Sequence, residues 1–178
     1  IHAGSITVHA VWKDATPPAV NVTPESTSSY TTSLGVTITV TDNELLSTDN
    51  AYEYCLGTDS SAPPSGASWS SYRNGVPVTI GSTLSGACYL WVKHVKDAAG
   101  NTSVSSPNAD YHRFGPYYFD NTAPDLGGVL SSYGWYPEGT AVPFDISDAH
   151  SGIKSAVLTD FNGIQLDNGD ITSGRQYY

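Results

Sequence analysis

CYLWVKHVKDAAGNTS, residues Cys88 to Ser103, decides how the rest of the chain is read. Alternating β-formers run directly into Asp97-Ala98-Ala99-Gly100-Asn101, so the segment reads as a strand followed by a hairpin. The two-residue period of a strand puts Cys88, Leu90 and Val92 on one face and Tyr89, Trp91 and Lys93 on the other. Lysine belongs in solvent, which assigns the first set to a core. The same parity turns His94 inward and Val95 outward, and a β-bulge between His94 and Asp97 is expected to repair this. Gly100 and Asn101 tolerate the left-handed backbone that a tight reversal needs.

Working outward, the same alternation recurs in short runs separated by turn residues, which predicts an all-β fold of two packed sheets. Val20 and Val22 open the first strand; Val36, Ile38 and Val40 face the core from the next, with Thr37, Thr39 and Thr41 outside. Tyr52, Tyr54 and Leu56 follow, then Val76, Val78 and Ile80, and the last strand runs from Tyr111 to Phe119. Ser60 to Gly66, with Pro63 and Pro64, reads as an exposed turn. If Glu53 faces solvent, Cys55 shares its outer face while Cys88 lies inside. Opposite faces of one sheet cannot bring two Cβ atoms to about 4 Å, so parity argues against a disulfide.

Two proline-bearing linkers divide the chain. Asp14-Ala15-Thr16-Pro17-Pro18 returns as Asp120-Asn121-Thr122-Ala123-Pro124, and each precedes an alternating strand that ends on Asp, VTITVTD at Val36–Asp42 and VPFDISD at Val142–Asp148. This is an internal repeat. It sets the expected organisation as a terminal strand at residues 1–13, a complete sandwich at 14–119 and an incomplete second one at 120–178. The stretch Ser5 to Lys13 is either the end of a preceding repeat or a first strand of the following domain.

The KDAAGNTS hairpin and the Asp120-Asn121-Thr122-Ala123-Pro124 linker resemble the bacterial Ig-like repeats found in tandem on large surface proteins and adhesins. Asp148-Ala149-His150-Ser151-Gly152-Ile153 is similar to the same family's corner between the second and third strands, which implies that Ala156 to Thr159 continues as the third strand of the second unit. The N-terminal ITVHAVWK resembles the last strand of internalin-type β-grasp repeats, with His9 where those repeats commonly carry Tyr. The resemblance implies Ig-like β-sandwiches and a non-catalytic structural or adhesive segment at the bacterial cell surface. Its partners would be neighbouring repeats of the same chain, together with a host or cell-wall glycan or protein. The rival readings are a carbohydrate-binding module of an exported enzyme and a calcium-stiffened adhesin extender.

Composition narrows the remaining classes. A net charge of −10 over 178 residues, with seven Lys and Arg, argues against nucleic acid. No apolar run approaches the roughly 20 residues that span a bilayer, so no membrane insertion is expected in this segment. No nucleophile–base set, metalloprotease motif or phosphate loop is present, and the five histidines are dispersed, so no enzyme is expected. None of the four lysines lies in an apolar strand face, which disfavours an isopeptide bond.

Two candidate sites remain. Trp69, Tyr72, Tyr89 and Trp91 would form a glycan platform if exposed; the preferred alternative has Trp69 and Tyr72 covering the sandwich edge and Trp91 packed against the loop before the Val76–Ile80 strand. Among the carboxylates, Asp42, Glu44, Asp49 and Asp59 cluster in sequence, and Asp97, Asp120 and Asp125 lie near the hairpin and hinge. A calcium site would pair Asp120 or Asp125 with Asp42 and Asp49, on the expectation that the second and last strands end together. Aspartate is also an ordinary turn residue, and the expectation is weak or no calcium binding and no other cofactor.

Overall fold

The computed structural model of the chain describes residues 13–104, 110–127, 142–143, 145–157 and 176–177. The first unit consists of β1 (Ala19–Thr23), β2 (Tyr30–Thr31), β3 (Leu34–Thr41), β4 (Glu53–Gly57), β5 (Ser70–Ser71), β6 (Pro77–Ile80), β7 (Gly86–Lys93) and β8 (Tyr111–Phe119). The second contributes β9 (Asp125–Gly127), β10 (Val142–Pro143), β11 (Asp145–Ser147) and β12 (Gln176–Tyr177). No helix occurs among the described residues. The expected strand at Ser5 to Lys13, apart from Lys13 itself, and Leu158 and Thr159 of the strand expected from Ala156 lie outside them. Ala156 and Val157 are described and are not strand.

The first unit is an all-β pair of sheets of the sandwich kind, ordered β1-β3-β6 and β2-β8-β7-β4-β5. The core follows the alternation in the sequence. Val20 and Val22 from β1, Val36, Ile38 and Val40 from β3, and Ile80 from β6 meet Cys88, Leu90 and Val92 from β7 and Tyr117 and Phe119 from β8. Tyr54 and Leu56 pack against this cluster half-buried. Every described strand pair is antiparallel except β2 with β8, where Tyr30 and Thr31 lie parallel to Tyr118 and Phe119.

Three expectations are corrected. Val95 is fully buried in the core rather than turned outward, because its amide bonds to Ser103 Oγ and Leu46 bridges Asp97, which reaims the chain after Lys93. The irregular step in the ladder lies instead between β7 and β8, where Cys88 faces Tyr117 but Leu90 faces Phe114. The extra residue is therefore on β8, at Gly115, whose φ of 110° is open to glycine alone. Val76 is 48% exposed and precedes β6 instead of belonging to it.

The outer face of the larger sheet is covered. Trp91 and Cys55 sit opposite each other on this face, outside the core cluster, and both are buried. The cover is the segment from Thr58 to Trp69. Arg113 donates to Ser60 O, a Cβ on Gly57 would stand 2.7 Å from Pro64 Cδ, and Trp69 stacks on Tyr111 at 5.2 Å. The expected exposed turn at Ser60–Gly66 is thus a strap: itself in solvent, but shielding what lies beneath. Lys93 and Glu53 do face outward, as an ion pair of 2.5 Å beside the Trp69 ring, and are half-buried rather than free.

Candidate functional site

The residues that carry the most specific geometry are those of the two linkers. In the first, Asp14 Oδ1 accepts from the Thr16 amide at 2.9 Å and from Asn43 Nδ2 at 3.3 Å. The Thr16 amide, above all, holds the Asp14 carboxyl below the usual carboxylate range. Asn101, at the end of the β7–β8 hairpin, reaches across with its side-chain amide to Asp14 O at 3.0 Å and to Asp97 Oδ2 at 2.6 Å. The hairpin is thereby fastened to the linker that precedes its own domain.

In the second linker, Asp120 Oδ1 accepts from the Thr122 amide at 3.0 Å and Oδ2 from the Ser151 amide at 3.0 Å. Hydrogen bonding from Ser151, and then from Thr122, lowers the Asp120 carboxyl. Asn121 Nδ2 lies within hydrogen-bond distance of three carbonyls, Thr32 O, Gly81 O and Leu84 O, and the Asn121 backbone amide donates to Ser85 Oγ. His150 stands 3.8 Å from Asp120 and its ring packs 6.1 Å from Tyr30. The linker is sewn to the first unit and touches the corner of the second.

The two linkers are copies at one constant offset of 106 residues, Asp14 to Asp120, Thr16 to Thr122 and Asp42 to Asp148. The strand ladders obey the same offset: Ala19 opposite Thr41 and Val20 opposite Val40 become Asp125 opposite Ser147 and Leu126 opposite Ile146. Glu44 N bonds to Asp42 and, in the second copy, His150 N bonds to Asp148. The repeat read from the sequence is therefore a repeat of hydrogen bonds as well as of residue types.

Of the expected calcium set, Asp42, Asp49, Asp120 and Asp125 are not brought together. Strand β3 ends beside the hairpin that β7 enters, whereas β8 returns to the far end, where Asp120 N bonds to Thr31 O. An eight-residue strand separates the two ends by about 25 Å, which corrects the expectation that the second and last strands finish together. Asp42 instead lies with Asp14 and Asp97, one oxygen of each within 4.8 Å of the others. Sequence reasoning missed Asp14 as a member; its recurrence as Asp120 at the head of each linker was the available signal.

The glycan platform is not assembled either. Trp91 is fully buried and Tyr72 is 5% exposed, its ring packed edge-on against Tyr52 in the core. Trp69 stacks on Tyr111, and Arg113 lies over Tyr89. Beside the strap, an open groove of about 380 Å³ is lined by Leu56, Pro64, Ala67, Ser68, Thr79 and Leu84, with no charged side chain.

Titratable groups in the interior are structural. His112 Nε2 pairs with the buried Ser103 Oγ at 2.9 Å, and burial, then the neighbouring His94, push the imidazole down to about 4. Ser103 is wholly buried, so this Ser–His pair has no path to a substrate. Cys55 and Cys88 are free and buried, as the parity argument requires, and burial pushes the Cys55 thiol up to about 11. Among the described residues no helix is long and apolar enough to cross a membrane. Comparison with protein-family models, curated proteins and solved structures returns no match.

Proposed function

We propose that this chain is a non-catalytic structural segment of a bacterial cell-surface protein, in which Ig-like sandwiches are strung in tandem as a stalk or adhesive array. The observation that carries the reading is the duplicated linker, whose hydrogen bonds recur at a constant offset in front of each unit. A linker that is bonded to the bodies it joins transmits orientation from one unit to the next. The sheet order β1-β3-β6 against β4-β7-β8 supports the Ig-like reading, since it follows the first, second and fifth strands against the third, sixth and seventh. The acidic surface and threonine-rich outer positions suit an extracellular array.

The carbohydrate-module alternative has lost the aromatic face that motivated it, because Trp91 and Tyr72 offer no ring to a sugar. The test of the stalk reading is location. Antibodies raised against residues 14–157 should label intact source cells, and the label should vanish after brief external proteolysis. Signal found only after lysis would sink the proposal.

A further inference from the structure

No residue of either linker lines the groove beside the strap, nor does any of Trp69, Tyr72, Tyr89 and Trp91. It opens between the edges of the two sheets, where β6 ends one of them and β5 covers β4 only at Glu53 and Tyr54. Its volume of about 380 Å³ falls within the roughly 300–1,000 Å³ of small-ligand sites. Both walls are held in place. On one side the Ala67 amide donates to Pro64 O at 3.0 Å, and Arg113 fastens the strap at Ser60 O. On the other, Leu84 N donates to Gly81 O at 3.1 Å, and the carbonyls of both residues accept from Asn121.

Seventeen acidic residues are spread over the chain, yet no charged side chain lines this groove. What lines it is of two kinds. Ser70, Thr79, Ser82 and Thr83 bring exposed hydroxyls that take part in no hydrogen bond among the described residues, whereas those of Ser61, Ser85, Ser103 and Thr122 are engaged. Leu56 and Leu84, half-buried, present apolar carbon to the same space. A hydroxyl both donates and accepts, so its best match is a ligand whose own groups do both. A phosphate, a carboxylate or a metal ion finds no opposite charge here. An extended peptide would need a strand edge, and β6 offers four residues opening on Pro77, which has no amide to donate.

We propose that this groove binds a short neutral saccharide, whose hydroxyls meet Ser70, Thr79, Ser82 and Thr83 while the C–H faces of its rings rest on Leu56 and Leu84. Each hydroxyl contact is exchanged against water and is weak alone. Affinity comes from several made together on walls that need no rearrangement. Binding is weak at a single open groove and grows by avidity when the groove is repeated along an array. That adhesive consequence rests on the tandem reading above; the binding itself does not.

The test uses the full chain and saturation-transfer NMR against a panel of neutral disaccharides: maltose, cellobiose, lactose and N,N′-diacetylchitobiose. At least one is expected to bind, with a dissociation constant on the order of 1 mM. Thr79→Val and Ser82→Ala, both at exposed positions, should each weaken it about fivefold. Thr83→Arg puts a long charged side chain into the groove and should abolish the signal. Thr41→Val, exposed at the far end of β3, should leave it unchanged, and circular dichroism checks that each variant is folded. Silence from the whole panel would overturn the site. So would binding that survives Thr83→Arg, or a tighter response to sialylated lactose or to an uncharged Ser- and Val-rich peptide than to any neutral sugar. Each of these failures would leave the surface-labelling result, and with it the stalk reading, where it stands.

Discussion

Asn121 shows how much one side chain settles at the residue scale. Its two amide hydrogens are shared among Thr32 O, Gly81 O and Leu84 O, which belong to the turns on either side of β3 and β6. Asn121→Ala leaves those carbonyls to water and should cost about 1–3 kcal/mol, seen as a fall in Tm with fluorescence still native below it. Val92, fully buried between Tyr54 and His112 in the ladder, should cost about 1–3 kcal/mol as Val92→Ala. His112 carries the pH dependence. Its folded form takes a proton only near pH 4, the unfolded chain already near 6.5, so the unfolded state binds more protons between these limits. Stability is fully present above about pH 6.5 and is lost as pH falls towards 4, by about 3 kcal/mol from this group. Urea midpoints from pH 7.5 to 4.5 should show a shallower fall in His112→Phe; an unchanged slope would remove His112 as the source. None of this pairing was legible in the sequence, because Ser103 and His112 meet only after the hairpin folds.

At the scale of elements, alternation located β3, β7 and β8 because successive side chains point to opposite faces, one set in the core and the other towards solvent or, at Trp91, beneath the strap. β2 and β5, two residues each, carry no period to read. The strap escaped for a different reason: Ser, Pro and Ala between Thr58 and Ser68 look like solvent-exposed loop, and they are exposed. What the composition hides is the Trp91 ring beneath, with an indole Nε1 that finds no partner. Gly57→Ala should prise the strap away, since the added methyl meets Pro64 Cγ at 2.8 Å as well as Cδ. The expected sign is a red shift and faster quenching of tryptophan fluorescence, with the far-UV spectrum unchanged. An emission spectrum identical to that of the parent chain would show that something other than the strap covers Trp91. Trp91→Phe should be mild by comparison with Trp91→Ala, which is expected to cost about 3–5 kcal/mol.

At the scale of the whole molecule, the repeat was legible from the linkers alone, but the end of the sandwich at which each carboxylate sits was not. Charge clusters in sequence say which residues are near along the chain; the β3 and β8 directions decide which are near in space. Asp120 joins the units through Ser151 and Thr122, and Asp120→Ala should free the second unit to swing while shifting the first unit's Tm by under about 1 kcal/mol equivalent. Small-angle scattering should report a broader distribution of distances, and a curve superimposable on that of the parent chain would show that the joint does not depend on this carboxylate.

The placement of the two linkers at opposite ends of β3 has a mechanical consequence. Tension applied along the chain enters at Pro18, through β1, and leaves at Asp120, through β8, and these strands belong to different sheets. Pulled lengthwise, β1 slides against β3 with all five paired positions from Ala19 to Thr23 loaded together, instead of opening one at a time from an end. Such a clamp yields in a single rupture, at a force set by the whole ladder and not by its weakest bond.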